Sequence, residues 1–211
     1  FVGNTVRNCF DVNANHDDGF QSWSRGPDGV GTGRVVGVVL RGNTIINHTD
    51  PDQPHRGTLQ GIGCFDGVFE DWIIENNVIT DSTCTGITLG KDATSTEGVE
   101  QSAAGYNVII REALEKGWSK EKIGSHVVRN NVIHDCGQAG ICGSMGGAFS
   151  RIYNNHIYNI NSDEPFGGAE VAGIKLHGAV DGVLRDNHIH NATKGIWLDW
   201  MTQGTRVSGN V

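Results

Sequence analysis

The amino-acid sequence predicts an all-β protein, a right-handed parallel β-helix in which short strands stack coil upon coil. Two observations lead to this prediction: apolar alternations that start at an asparagine recur along the chain, and strand-like runs that open with glycine recur between them. A unit of about 23 residues cannot bury its apolar face alone, but it can when it is stacked on copies of itself. We therefore expect residues 1–211 to form a single β-helix domain, incomplete at one or both ends.

The asparagine repeats define the coils. They include the segments GNTVRN, GNTIIN, NNVITD, NNVIHD, NNHIYN and DNHIHN, and their reference asparagines are Asn4, Asn43, Asn77, Asn131, Asn155, Asn187 and a last one, Asn210. A turn residue that repeats in register can place its side-chain amide against the equivalents in the neighbouring coils. We expect these asparagines to be structural.

Two segments interrupt the repeat. Residues 48–58 read HTDPDQPHRGT, a polar loop with two prolines, and residues 92–124 contain AAGYNVIIREALEKGWSKEKIG, which carries helix formers at helical spacing. The long interval between Asn77 and Asn131 is therefore one coil with a short helical excursion around residues 100–120. Such an excursion would cap or wall the groove of the solenoid.

Composition limits the functions that the chain can have. A formal net charge of -8 makes nucleic acid a poor partner, and no apolar run approaches the ~20 residues that a membrane helix needs. The five cysteines lack metal-ligand spacing, so we expect them to be buried thiols, and we expect neither a metal nor a cofactor. The first residues, FVGNTVRN, do not resemble a signal peptide, and both the bacterial cytoplasm and secretion stay open.

The glycine-initiated strands predict a register. Side chains alternate between the two faces of a strand, so the first and third residues after each glycine face the core. This places four isoleucines in one interior column: Ile87, Ile141, Ile174 and Ile196. The outward columns are Gln21, Thr88, Cys142, Lys175 and Trp197, and then Trp23, Gly90, Ser144, His177 and Asp199.

The last two rungs of these columns predict a solvent-facing cluster. Rungs lie about 4.8 Å apart, so Lys175, His177, Trp197 and Asp199 converge. By spacing alone, Asp199 is either a turn residue at a strand end or a catalytic carboxylate. In the second case Trp197 and Trp200 would offer flat apolar faces to a sugar.

The segments GSHVVRNNVIHDCGQAGICGSMGGAFSRIYNNHIYNI, GAEVAGIKLHGAVDGVLRDNHIH and KGIWLDWMTQGTRVSGN closely resemble the catalytic β-helix of glycoside hydrolase family 120, the β-xylosidases. The resemblance covers residues 86–211, whereas residues 1–85 resemble other secreted polysaccharide-processing β-helix proteins. It implies a retaining glycosidase with Asp199 as nucleophile and Glu170 as an active-site glutamate that contacts the sugar. Residues expected to bind substrate are Lys175, His177, Trp197, Trp200 and Gln203.

In that family the general acid/base is a glutamate about one coil after the nucleophile, which here would lie beyond Val211, and Glu170 is the catalytic candidate that could act as a poor substitute for it. Two alternatives stay open beside a β-xylosidase of low activity. A polysaccharide lyase would use Lys175 or His177 as base and the cluster His16, Asp17 and Asp18 for a cation. The other alternative, a non-catalytic scaffold or carbohydrate-binding module, needs neither a catalytic base nor a cation. In each case the expected partner is an oligosaccharide or polysaccharide, and a second copy of the chain could cover the exposed coil ends.

Overall fold

The computed structural model describes residues 1–9, 18–30, 32–52, 59–64, 67–91, 103–115, 119, 121–164, 167 and 171–211. The strands of the first part of the chain are β1 (Thr5–Arg7), β2 (Phe20–Ser22), β3 (Arg25–Gly26), β4 (Gly29–Val30), β5 (Arg34–Val36), β6 (Val39–Arg41), β7 (Thr44–Ile46), β8 (Ile62–Cys64), β9 (Val68–Glu70), β10 (Ile73–Glu75), β11 (Val78–Thr80) and β12 (Thr85–Lys91). The elements that follow are α1 (Ala103–Glu115), β13 (Val127–Arg129), β14 (Val132–Cys136), β15 (Ala139–Ser144), β16 (Arg151–Tyr153), β17 (His156–Ile160), β18 (Ala172–His177), β19 (Val183–Arg185), β20 (His188–Ala192), β21 (Ile196–Leu198) and β22 (Arg206–Ser208).

Three parallel sheets of six strands each run the length of the molecule. Sheet I contains β1, β7, β11, β14, β17 and β20; sheet II contains β6, β10, β13, β16, β19 and β22; sheet III contains β2, β8, β12, β15, β18 and β21. Each complete coil visits sheets II, I and III in that order, and the same order repeats from β6 to β21. The pair β5–β9 is also parallel, and β3–β4 is a short antiparallel pair. The predicted parallel β-helix is confirmed.

The helical excursion also lies where the sequence predicts it. Helix α1 separates β12 of one coil from β13 of the next, within the long interval between Asn77 and Asn131. Among the described residues, no helix is long and apolar enough to cross a membrane. Residues 48–52 of the predicted polar loop are described, and the rest of that loop lies outside the described residues.

The core consists of isoleucine and leucine columns, one behind each sheet. Ile87, Ile141, Ile174 and Ile196 are partners in successive rungs of sheet III, which confirms the predicted interior column. The first three of them are fully buried. Ile62 of β8 extends the same column by one rung that the glycine alignment had missed.

In sheet III a glycine stands at a tight corner between sheets in every rung except the last, β21. A Cβ built on Gly173 would lie 2.5 Å from Cγ2 of Ile189 and 2.8 Å from the carbonyl oxygen of Gly195. Both distances are too short for carbon, so only glycine lets sheet I approach sheet III here. The recurrent glycines therefore mark the corner that sets the cross-section of the solenoid.

The asparagines form a continuous hydrogen-bonded ladder. Each side-chain Nδ2 donates to Oδ1 of the next asparagine, at 2.8–3.1 Å, through Asn4, Asn43, Asn77, Asn131, Asn155, Asn187 and Asn210. The backbone N–H of each also donates to the same oxygen of its successor. Because the interior ladder residues are almost fully buried, these bonds satisfy polar groups that would otherwise be costly. The predicted structural role of the repeats is confirmed.

Candidate active site

The last two rungs of sheet III position the candidate catalytic residues. Lys175 of β18 is the register partner of Trp197 in β21, and Asp199 follows β21 directly. The backbone N–H of Asp199 donates to the carbonyl oxygen of Leu176 at 2.9 Å, so the ladder continues one residue beyond the strand. His177, at the end of β18, then lies beside the Asp199 side chain. The predicted convergence of these four residues is therefore present.

Lys175 differs from the prediction, because its side chain is fully buried rather than solvent-facing. Its ammonium donates to Oδ2 of Asp199 at 2.6 Å and lies 4.0 Å from the centre of the Trp197 ring. Strand alternation correctly assigned Lys175 to the outward face of the strand. However, the indole ring of Trp197 and the residues after β21 cover its amine. A buried charge is tolerated only when it is paired, and here Asp199 supplies the opposite charge.

His177 completes a triangle of polar atoms with these two residues. Its Nε2 lies 2.7 Å from Nζ of Lys175 and 3.2 Å from Oδ2 of Asp199. An ammonium has only donors, so the shorter contact requires Nε2 to accept and the ring proton to reside on Nδ1. Its ring packs against Trp200 at 4.9 Å between centroids, with 37° between the planes.

Asp199 is held as an anion at the surface. The side chain is 34% exposed, Oδ2 accepts from Lys175, and Oδ1 accepts the backbone N–H of Trp200 at 2.8 Å. Burial opposes ionisation of the carboxyl, but the hydrogen bond and charge of Lys175 and the Trp200 N–H outweigh it, and the pKa of Asp199 lies below its usual value. The site thus offers a partly accessible carboxylate that is charged and fixed in direction.

The aromatic residues are placed on either side of this carboxylate in sequence. Trp197 is half-buried, and the exposed Lys194 also brings its ammonium over this ring, 4.4 Å from the centroid. A sugar that stacked on Trp197 would have to share the ring with Lys194. Trp200 begins the turn after Asp199, and that turn is closed by a 2.7 Å bond from Oγ1 of Thr202 to the Asp199 carbonyl oxygen.

Gln203, a further candidate residue that the structure describes, is not part of the triangle. Gln203 is exposed, and its backbone bonds to Ala179 and Asp181 at the far end of the turn. Glu170, together with His16 and Asp17 of the lyase alternative, lies outside the described residues. In the second outward column, Lys91 rather than Gly90 pairs with Ser144, because a bulge after Thr88 shifts the register.

The sequence did not reveal an apolar cavity that adjoins the turn. It has a volume of about 300 Å³ and is lined mainly by Ile110 and Leu114 of α1, by Met145 and Phe149, and by Val180, Met201, Thr202 and Gln203. Met145 follows the end of β15, and its backbone N–H donates to the His177 carbonyl. The apolar spacing along α1 was visible in the sequence, but nothing there indicated which coil the helix packs on.

Comparison with known proteins agrees with this architecture. The family described as right-handed β-helix region matches residues 104–211, and no curated protein sequence matches the chain. A solved structure described as the complex of XylC with xylose is similar, with a TM-score of 0.65 and 40% sequence identity. The alignment covers 82% of this chain and 28% of XylC.

These findings support the resemblance to the family-120 β-xylosidases. The 82% of the chain that aligns with XylC is longer than residues 86–211, so the similarity also includes part of residues 1–85. The chain spans little more than a quarter of the XylC length. The right hand predicted for the coil is also confirmed by the family match. The chain therefore belongs to the family of right-handed β-helix proteins.

Proposed function

We propose that this chain carries the nucleophile half of a retaining β-xylosidase site, with Asp199 attacking the anomeric carbon of a β-xyloside. The observation that carries the proposal is the bond between the buried Lys175 ammonium and the partly exposed Asp199 carboxylate. The 40% identity with XylC, whose structure contains xylose, supports a saccharide substrate.

The chemistry follows from the charge of Asp199. One carboxylate oxygen forms a bond to the anomeric carbon while the bond from that carbon to the leaving oxygen breaks, and the leaving group takes the electron pair. Water then displaces the carboxylate, which releases xylose and returns one proton to the solvent or to a base. A carboxylate with a low pKa is a good leaving group in this second step, and the Lys175 pair provides that property.

Protonation of a sugar leaving group needs a second carboxyl group about 5–5.5 Å from the nucleophile in a retaining enzyme. A nitrophenolate departs without being protonated. A site without that second carboxyl group should therefore hydrolyse an aryl β-xyloside slowly but measurably and xylobiose hardly at all. Glu170, which the family resemblance assigns to sugar contact, is part of this proposal; Glu170→Gln should raise KM for the aryl xyloside.

A polysaccharide lyase is less compatible with the site. Its base would have to reach a substrate proton, whereas Lys175 is fully buried and donates to Asp199 and contacts His177. Release of an unsaturated uronate, detected by its ultraviolet absorbance, would support the lyase and contradict the glycosidase.

The decisive experiment is trapping of the covalent intermediate. A 2-deoxy-2-fluoro aryl xyloside slows both steps, and its activated leaving group allows the first to proceed, so the glycosyl-enzyme accumulates. We expect peptide mass spectrometry to place the sugar on Asp199. Asp199→Asn should abolish both labelling and aryl-xyloside hydrolysis.

The matched control is Asp186→Asn, which makes the same change at an exposed turn whose φ of 55° suits asparagine. It should retain labelling and turnover. Full activity of Asp199→Asn, or labelling of another residue, would overturn the assignment. A folded parent chain that hydrolyses no aryl xyloside would leave the β-helix as a scaffold.

A further inference from the structure

A second cluster of titratable side chains lies on sheet I, away from Asp199 on sheet III. In this sheet His156 of β17 is the register partner of His188 in β20, and Tyr158 is the partner of His190. Alternation around the buried Ile157 directs these side chains to the outer face. Three histidines from two successive coils therefore meet at one point of the surface.

The ring nitrogens of His156, His188 and His190 converge closely. One nitrogen from each ring lies within 4.8 Å of the others, and Nε2 of His156 is 3.0 Å from Nε2 of His190. The His156 ring stacks on His188, with centroids 4.9 Å apart and 6° between the planes. His188 is exposed, and the other two are half-buried, so the cluster is open to solvent.

Three imidazole rings from two successive coils present their nitrogen atoms to one another at the surface. A neutral imidazole has a free lone pair, which is the form that binds a metal ion. The cluster thus brings three nitrogen donors to one place on the surface.

We propose that His156, His188 and His190 bind one divalent first-row transition metal ion, such as Zn²⁺, with solvent in the fourth position. Imidazole ligands suit Zn²⁺, Cu²⁺ and Ni²⁺. Zn–N bonds of about 2.0–2.1 Å in a tetrahedron place the nitrogens about 3.3 Å apart. This site was not predicted from the sequence, where no metal was expected.

The present geometry needs only side-chain adjustment to reach that arrangement. The Nε2 atoms of His156 and His190 must separate by a few tenths of an ångström to admit an ion. His188 must turn, since the lone pairs of two parallel rings do not point at one centre. Its exposure leaves room for this rotation.

The ion would cross-link two successive coils. β17 and β20 are hydrogen-bonded neighbours that belong to successive coils, so a metal bound to both ties the later coil to the body of the solenoid. An ion that binds only the folded state raises its stability by mass action. Because the proposed metal site lies on sheet I and Asp199 follows sheet III, metal binding should not change the chemistry at Asp199.

The test is metal binding by the untagged full chain after removal of bound metal with a chelator. Co²⁺ in a tetrahedral site gives strong visible absorption, so we expect this spectrum to saturate at one equivalent and to disappear when Zn²⁺ is added. Zn²⁺ should also raise the Tm. His156→Gln and His190→Gln should each weaken binding at least 10-fold, in line with the loss of one of three ligands.

The matched control is His134→Gln, which changes the same residue type on the same sheet face one rung before Tyr158. It should bind Co²⁺ like the parent. Should either ligand variant unfold, the exposed His188→Ala variant provides the same comparison. The proposal is wrong if the parent gives no saturable Co²⁺ spectrum, if His134→Gln loses binding equally, or if a His156→Gln, His190→Gln double variant still binds. The 3.0 Å contact would then be an ordinary hydrogen bond between two rings.

Discussion

At the scale of residues, each coil enters sheet I through two positions with different roles. The first has a positive φ, between 55° and 67°, and is occupied by Gly3, Gly42, Asn76, Asn130, Asn154, Asp186 and Gly209. Glycine, asparagine and aspartate are the residues that tolerate this conformation. The second position is the ladder asparagine itself. This division explains why the repeats read GN, NN or DN, which the sequence displayed without giving its cause.

The ladder makes a prediction about one buried asparagine. Asn131 accepts from Asn77 and donates to Asn155 and to the Ile74 carbonyl, so Asn131→Ala leaves several buried polar groups unpaired. We expect a loss of about 2–4 kcal/mol in the free energy of unfolding, measured by urea denaturation. The exposed neighbour variant Asn154→Gly should change it by less than about 0.5 kcal/mol. Equal losses would show that the ladder does not stabilise the fold.

Lys175 yields a prediction about pH dependence. Lys175→Met removes the hydrogen bond and charge that lower the pKa of Asp199, so this pKa should rise. Because the nucleophile works only when ionised, the acid limb of the aryl-xylosidase profile should move to higher pH, and kcat/KM should fall about 100-fold. Lys194→Met removes the other ammonium over Trp197 and should leave the limb in place. If the acid limb of the pH profile is unchanged in Lys175→Met, Lys175 does not lower the pKa of Asp199.

At the scale of elements, the corner glycines provide a matched pair of variants. A Cβ on Gly140 would lie 2.5 Å from Cγ2 of Ile157 and 2.6 Å from the Gly173 carbonyl, whereas at Gly195 no atom of the described residues lies within 4 Å. Gly140→Ala should therefore cost about 3 kcal/mol or more, and Gly195→Ala less than about 0.5 kcal/mol. Thermal unfolding of the two proteins measures the difference. Similar Tm values would show that the corner can widen freely.

Strand alternation predicted the register of sheet III well, because core packing allows only one face to be buried. It could not show how deeply an outward side chain would be covered. Lys175 faces outward, yet Trp197 and Asp199 close over it, a result of contacts between coils rather than of its own strand. Nor could alternation anticipate the bulge that replaces Gly90 by Lys91 opposite Ser144.

At the scale of the whole molecule, a buried histidine predicts how stability depends on pH. His126 is 1% exposed, its Nδ1 accepts the Trp72 backbone N–H, and burial lowers its pKa from 6.5 to about 4. As the pH falls below 6.5 the unfolded chain binds a proton first, so stability decreases until about pH 4 and is independent of this group above pH 6.5. The full loss from this group is about 3 kcal/mol.

Urea titrations from pH 7 to pH 4 measure this effect. His126→Gln should show a shallower decrease than the parent. Parallel curves for parent and His126→Gln would contradict the assignment.

The overall architecture was predictable because it repeats: every coil gives another copy of the same asparagine and glycine signals. The two proposed sites were harder to predict, since each depends on residues from different coils. The position of Asp199 beside Lys175 and His177 could be predicted because its column could be aligned, whereas the role proposed for it comes from the family resemblance. The histidines of NNHIYN and DNHIHN lay in the recognised repeats, but only the register of β17 and β20 shows that their rings meet.

The asparagine ladder has a mechanical consequence. Its bonds run along the solenoid axis, as do those of the sheets, so tension applied through residues 1 and 211 loads successive coils in series. The coils should detach one at a time, and each release should lengthen the chain in proportion to the ladder intervals of 39, 34, 54, 24, 32 and 23 residues. At about 3.6 Å per residue these steps differ enough to be distinguished in single-molecule stretching. The force trace would then give the order in which coils leave the stack, and one simultaneous release would show that the solenoid fractures as a single unit.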